Sequence, residues 1–428
     1  MRKFMYPFLT VWIIFLTLPL FSQEEFKSKV VLSELIQEAL NQNPHLMAAK
    51  KEWEAALNMA PQASSLPDPM VGYAHFGQSI ETRLGPQRNK FSLSQKVPFF
   101  GKLSLRGEIA NSAASVFEEQ YKTIKADIVF KVKSAYFSLF WFDKALEISR
   151  KEQYVLKRLA KIVQKKYETG KANQQDVLKA QLEISRITDK VLFLEQGRRT
   201  AVSTLNSLLN RPPDAYTGKA EDFKLPEFQF ELKELYALAK EWRPELRKAR
   251  YLIEKNENSL KLAKKNYFPD FKLMFDYIDI GGGTTSNVED GRNSWMVSVG
   301  INIPIWRKKL NAAKAEAVSR IKASQERFRN IENETMSLVN ELFYGVKTGF
   351  EQVELYKYSL IPQAEQSLKA SEAGYLAGKV DFLNLLDSER MVLQIKTGFF
   401  KAISDLGKSL ARLERTVGKD LITFRGSK

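Results

Sequence analysis

Apolar side chains recur every three or four residues through long stretches of this chain. Between those stretches lie short segments in which apolar and polar residues alternate. After Gly101, the positions Phe117, Tyr121, Ile124, Ile128, Val132, Ala135, Leu139, Phe142 and Leu146 mark one stripe of an amphipathic helix. From Leu103 to Tyr167 there is no Pro and a single Gly, Gly107, near the start. A continuous helix over that span is about 95 Å long at 1.5 Å per residue. The stripe resumes after Gly170 at Val177, Ala180, Ile184, Ile187, Val191 and Leu194, and stops before Pro212-Pro213. A matching helix near the C-terminus carries Val392, Ile395, Phe399, Ala402, Leu406, Leu410 and Leu413. Helices this long cannot wrap a compact core; they predict antiparallel coiled-coil hairpins packed lengthwise.

The alternating segments predict strands with one apolar and one polar face. In Trp295–Ile303 the odd positions are large and apolar, and the even ones mostly small or polar. In Phe271–Tyr277, Lys272 and Asp276 oppose Phe271, Leu273, Phe275 and Tyr277. Val71–Ala74 and Phe91–Ser94 form a similar pair in the first half. Two readings fit: hairpins on a soluble core, or transmembrane barrel strands of about 9–11 residues, apolar outside and polar within. On the second reading Tyr73, Phe91, Phe268, Tyr277 and Trp295 lie near the bilayer interfaces. An outer-membrane barrel needs at least about eight strands, and unpaired edges are not tolerated in hydrocarbon. Four strands per chain therefore demand that several chains pool them.

The chain is also a duplication. Asn43-Pro44-His45-Leu46 recurs 200 residues on as Arg243-Pro244-Glu245-Leu246. Leu66-Pro67-Asp68 recurs after 202 residues as Phe268-Pro269-Asp270, and Val97-Pro98-Phe99-Phe100 after 206 as Ile303-Pro304-Ile305-Trp306. Tyr167–Lys171 recurs after 208 as Tyr375–Lys379. Four landmarks in the same order with slowly growing offsets predict two copies of one unit, at about 30–212 and 232–420.

Composition narrows the chemistry. Among 428 residues there are two His and no Cys, so thiolate metal sites, iron–sulfur clusters and Cys nucleophiles are excluded. His-based triads and metal sites have almost nothing to draw on. The net charge of +16 is spread between acidic residues along the helices, which favours solvated helix faces over nucleic-acid binding. Arg2 and Lys3 precede a 14-residue, largely apolar run from Phe8 to Phe21, followed by Ser22, Gln23 and Glu24. This is the pattern of a secretory signal peptide over 1–22, leaving 23–428 as the mature chain. No Cys follows it, so no lipidated N-terminus is expected. Gly407-Lys408-Ser409 lies within a helical stripe and lacks the upstream Gly of a phosphate loop. Gly281–Thr285 reads as an exposed loop between two strands. No catalytic, cofactor-binding or metal-ligating constellation is found.

Taken together, Ala39–Pro44, Leu66–Pro69, Gln95–Pro98 with Gly101-Lys102, Tyr167–Gly170 with Asp176–Gln181, and their second-half counterparts resemble the TolC-like outer-membrane efflux protein family. The counterparts include Tyr375–Gly378 with Leu385-Leu386-Asp387, and the resemblance spans about residues 30 to 420. It implies a mainly α fold with a small β part. In that fold three chains share a barrel of about 12 strands, and helical hairpins form a periplasmic tunnel. It further implies an outer-membrane location, a homotrimer in contact with lipid, no catalysis and no cofactor. Cargo, either metal ions or drugs, would come from an inner-membrane pump, of the resistance–nodulation–division type, through a periplasmic adaptor. The alternatives are a type I secretion duct, or a secreted coiled-coil scaffold or adaptor without a pore.

The same resemblance assigns roles at the hairpin tips, where Gly170 and Gly378 let the backbone reverse. Tyr167, Gly170, Lys171, Asp176, Tyr375, Gly378 and Lys379 become candidate contacts for the adaptor. Members of the family narrow the mouth with acidic residues just after the second tip. Here the matching positions are Asn384 and Asp387, and only Asp387 keeps a carboxylate.

Overall fold

The computed structural model describes residues 29–222, 228–283 and 285–421; the expected leader at 1–22 lies outside the described residues. Strand β1 (Lys29–Val30) leads into helices α1 (Leu32–Gln42), α2 (Pro44–Leu57) and α3 (Met59–Ser64). A hairpin of β2 (Met70–Thr82) and β3 (Gly85–Val97) follows, and then α4 (Lys102–Glu168) and α5 (Gln174–Leu208). After β4 (Lys219–Ala220) the order repeats: α6 (Leu232–Trp242), α7 (Pro244–Lys265), β5 (Phe271–Ile280), β6 (Ser294–Ile301), α8 (Arg307–Leu355), α9 (Ile361–Leu376) and α10 (Phe382–Val417). Among the described residues no helix is long and apolar enough to cross a membrane.

Local chemistry fixes these boundaries. Asn43 is the N-cap of α2: its side chain accepts from the backbone N–H of His45 and Leu46, and Pro44 takes the first helical position. Arg243-Pro244 places Pro in the same position at the start of α7. Helix α4 runs unbroken for 67 residues, roughly 100 Å. Its partner in the second unit is not continuous. Between α8 and α9 lies a π-helical turn, Tyr356–Leu360, which the stripe pattern did not anticipate. Pro362 explains it: with no N–H, it leaves the carbonyl of Tyr358 without its usual partner, and the helix widens there.

The core lies where α4, α5, α8 and α10 meet below the sheet, on Val132, Leu139, Phe140, Leu205, Val346, Leu406 and Leu413, each at most 2% exposed. Gly407 is a packing notch, since a Cβ there would sit 2.5 Å from the Phe137 ring. The Gly407-Lys408-Ser409 segment thus belongs to a buried helix contact. The aromatic cluster on α4, including Tyr136, Phe137 and Phe140, fills the same seam.

The four long strands form one antiparallel sheet in the order β2-β3-β5-β6. Both first-half strands are longer than their alternating segments, at 13 residues each. A register shift between His75 and Ile80 breaks the alternation and hides the rest of β2 from a period-two reading. One face carries Val71, Tyr73, Phe91, Leu93, Leu273, Phe275, Trp295, Val297, Val299 and Ile301, all exposed. Tyr73, Phe91, Tyr277 and Trp295 stand directly opposite one another on successive strands and form an aromatic row across the sheet. The other face carries polar groups, with Lys90 Nζ 3.2 Å from Asp276 Oδ2. This is the two-sided pattern of a membrane barrel wall, apolar outward with an aromatic girdle. The loop containing Gly281–Gly283 and Thr285 joins β5 to β6.

The sheet and the helices are joined by a buried ion pair. Lys102, the first residue of α4 and 3% exposed, reaches Asp270 Oδ1 at 2.7 Å and donates to the Phe268 carbonyl at 2.9 Å. Asp270 also accepts from the backbone N–H of Phe99 at 2.9 Å. The Phe268-Pro269-Asp270 and Val97–Lys102 motifs are therefore two halves of one joint, with Phe99 and Phe268 stacked at 4.7 Å beside it.

Candidate functional site

The far ends of the hairpins carry the chemistry singled out by the sequence, and both are built alike. At the first, Gly170 adopts φ +70°, Lys171 N–H donates to the Lys166 carbonyl at 2.7 Å and Gly170 N–H to Tyr167 at 2.9 Å. At the second, Gly378 has φ +72°, with Lys379 N–H on Gly374 at 2.8 Å and Gly378 N–H on Tyr375 at 3.2 Å. Each is a complete Schellman stop. Three residues later a capping side chain restarts the chain: Asn173 accepts from Asp176 N–H and Asp381 from Asn384 N–H, both at 2.8 Å. A Cβ added at either glycine meets nothing within 4 Å, so the positive φ, not crowding, demands glycine. A β-branched residue at Gly378 is expected to cost about 1–2 kcal/mol at the tip. Thermal melting of Gly378→Val should register that as a small shift, with the trimer intact.

The two tips touch, and their tyrosines part company there. Tyr167 is 43% exposed, whereas Tyr375 is 7% exposed and packs on Phe382 at 5.6 Å. Lys166 Nζ lies 4.0 Å above the Tyr375 ring and donates to its carbonyl at 3.1 Å. Burial, and then the charge of Asp176, raises the Tyr375 hydroxyl above its ordinary value. The structure thus brings Tyr375 and Asp176 together inside the contact between hairpins. It leaves Tyr167, Gly170, Lys171, Gly378 and Lys379 on the exposed rim.

Asn384 and Asp387 share one exposed face of α10, a helical turn apart. Asp387 is not a free charge: Arg390 Nη1 holds it at 2.9 Å. Arg390 also binds Glu183 on α5, donating from Nε at 3.0 Å and from Nη2. Arg186 adds a further contact to Glu183 at 2.8 Å. The Arg390 guanidinium holds the Glu183 carboxyl below the usual carboxylate range. Deeper in the bundle Glu152 of α4 and Glu389 of α10 line a cavity of about 100 Å³ together with Glu183, Arg186, Lys190 and Arg390. Burial, then the neighbouring charge of Glu389, pushes Glu152 up to about 8. Burial also raises Glu389, while its hydrogen bond with Glu152 acts in the opposite sense. Both carboxyls are thus held above the usual carboxylate range, Glu152 the further. These charged residues were not found from the sequence. Each looks like an ordinary solvated helix position, and Glu183 and Arg390 are 207 residues apart.

No group of side chains among the described residues could hold a metal ion. What the arrangement offers is mechanical: two long hairpins sealed together at their ends by buried rings, an arginine bridge and a pair of buried carboxyls, below a four-stranded sheet.

Comparison with known proteins agrees with this geometry. The family model for outer membrane efflux proteins matches residues 35–211 and 235–419. The chain is 20% identical to the cobalt-zinc-cadmium resistance protein CzcC of Cupriavidus metallidurans, over 94% of this chain and 93% of that protein. It is also 20% identical to the outer membrane protein TolC of Vibrio cholerae, over 90% of each. Its fold matches the crystal structure of the outer membrane protein VceC of Vibrio cholerae with a TM-score of 0.75 at 17% identity, covering 91% of this chain and 96% of that one. The chain belongs to the outer membrane efflux protein family.

Proposed function

We propose that this chain is the exit duct of a tripartite pump that removes divalent metal ions from the cell. The family to which it belongs comprises outer-membrane efflux channels with a periplasmic helical tunnel, which form trimers and work with periplasmic adaptors and inner-membrane pumps. The carrying observation is the union of a four-stranded sheet, open at both edges among the described residues and apolar on one face, with helical hairpins whose longest helix runs roughly 100 Å. Such a molecule lets solute pass and does no chemistry on it, so the driving force comes from the partner pump. The likeness to a cobalt-zinc-cadmium resistance protein along nearly the whole chain supports metal cargo over drugs. The partner pump is then of the resistance–nodulation–division type. Tyr167, Gly170, Lys171, Gly378 and Lys379 form the rim met by the adaptor. Asp387 and Asn384 line the mouth, with Asp387 half-neutralised by Arg390.

The test is deletion of the gene in its own host. Cobalt, zinc or cadmium should accumulate in the deletion strain and return to normal on complementation, while accumulation of lipophilic dyes stays unchanged. Dye accumulation with unchanged metal levels would overturn the metal assignment. At the mouth, Asp387→Ala should lower the cation preference of the trimer by about twofold in planar-bilayer recordings, a modest change because Arg390 already offsets the charge. An unchanged preference would remove Asp387 from the lumen.

A further inference from the structure

Among the described residues the two edges of the sheet, β2 and β6, have no strand beside them, and the duplication indicates what covers them. The repeat offsets read from sequence also govern the strand registers. Val71 faces Leu93 in the first hairpin, and Leu273 faces Val299 in the second; these are the positions that offsets of 202 and 206 relate. Over Met70–His75 and Asn89–Ser94, the stretch next to the helices, the first hairpin therefore pairs as the second does. Between them runs one seam inside the chain, where β3 meets β5 with Val97 opposite Phe271, Gln95 opposite Leu273 and Leu93 opposite Phe275. Beside that seam sits the Lys102–Asp270 pair at 2.7 Å, joining the helix after one hairpin to the strand leader of the other.

Applying the same offsets to this seam turns β3 into β6 and β5 into β2, which are the two free edges. Lys102 becomes Lys308 and Asp270 becomes Asp68. Both are exposed in the single chain, and neither side chain has a hydrogen bond or ion pair to another described residue. Val71, Tyr73, Val299 and Ile301 are also uncovered, at 81%, 62%, 65% and 56% exposure. Their charges and side-chain faces are complementary, but one sheet cannot bring its own outer edges together.

We propose that a second copy of this chain seats its β2 against β6 in the register of the internal seam, with Ile301 opposite Val71 and Val299 opposite Tyr73, locked by an ion pair between Lys308 and Asp68 of adjacent copies. The inference rests on the reading of the sheet as a shared barrel wall and adds its register and its charged lock. Covering both edges this way satisfies the backbone groups that hydrocarbon cannot. It also places a buried, paired charge at every junction between sheet and tunnel rather than at alternate ones.

The chain has no Cys of its own, so engineered pairs report without background. In full-length protein purified from outer membranes, Val71→Cys with Ile301→Cys should give a disulfide-linked ladder ending at the trimer on a non-reducing denaturing gel, lost on reduction. Val71→Cys with Val299→Cys, slipped by two residues, should not. Asp68→Lys alone should shorten the lifetime of the heat-treated trimer by about tenfold, and adding Lys308→Asp should restore it. Cross-linking at the slipped register, or no recovery in the double charge reversal, would overturn the proposed seam while leaving the shared barrel standing. Absence of any link between copies at either register would overturn both.

Discussion

Replacing Lys102 with Met is expected to weaken the protein by about 3 kcal/mol, because Asp270 would then keep only the more distant and solvated Lys96, at 3.9 Å, as its counter-charge. The side chains of Lys102 and Asp270 are only 4% and 14% exposed, so water cannot substitute for the ammonium. The loss is local but consequential. Asp270 also receives the Phe99 N–H, and Lys102 also caps the Phe268 carbonyl, so both chain crossings between sheet and helices loosen together. Trimer lifetime in detergent on heating is the appropriate measurement, since a membrane trimer unfolds irreversibly. Removing both partners, as Lys102→Met with Asp270→Leu, should recover much of the loss, because no buried charge is then left alone. A double variant as fragile as the single one would mean that the joint depends on the hydrogen bonds to Phe99 and Phe268 instead.

Raising the pH is expected to loosen the contact between the hairpin tips. Glu152 and Glu389 both titrate above the ordinary carboxylate range, chiefly through burial. A group raised in the packed state favours packing fully at pH values below its ordinary pKa, and that support is lost as the pH climbs through the raised value. With Glu152 at about 8, the window runs from ordinary carboxylate titration to about pH 8. The surrounding charges limit the effect without reversing it. Lys190 of α5 faces Glu152 but is itself lowered by burial, Arg158 of α4 and Lys396 of α10 act on Glu389, and Glu372 of α9 opposes them. Amide exchange in α9 and the first turns of α10, corrected for intrinsic rates, should speed up by about tenfold between pH 6 and pH 9. Glu152→Gln keeps a donor to Glu389 and cannot ionise, so it should remove that acceleration. Equal acceleration in wild type and variant would show that the pair does not hold the tips.

Much of this architecture could be read from the chain, for identifiable reasons. The helices announce themselves because one apolar stripe persists over dozens of residues with no Pro. The second hairpin was legible along most of its length. The first was legible only in part, because the shift after His75 interrupts its alternation. The tip glycines are legible from the repeated Gly-Lys, whereas the capping residues Asn173 and Asp381 differ in type between the two tips and carry no repeated signature. The two tyrosines show why a repeat does not guarantee equal roles. Tyr375 packs on Phe382, while the corresponding position beside Tyr167 is Gln174, and only Tyr375 is buried. The arginine bridge and the buried carboxyl pair were invisible in sequence, since their members come from helices that meet only after the two units fold against each other.

A duct requires that the four strands of each chain form part of a lipid-embedded wall shared between copies. Single-channel recording of the purified, signal-free protein in a planar lipid film tests this directly. Discrete, uniform current steps from a preparation that runs as a trimer in detergent are the expected result. A preparation that stays as single subunits in buffer without detergent, and passes no current, would contradict it.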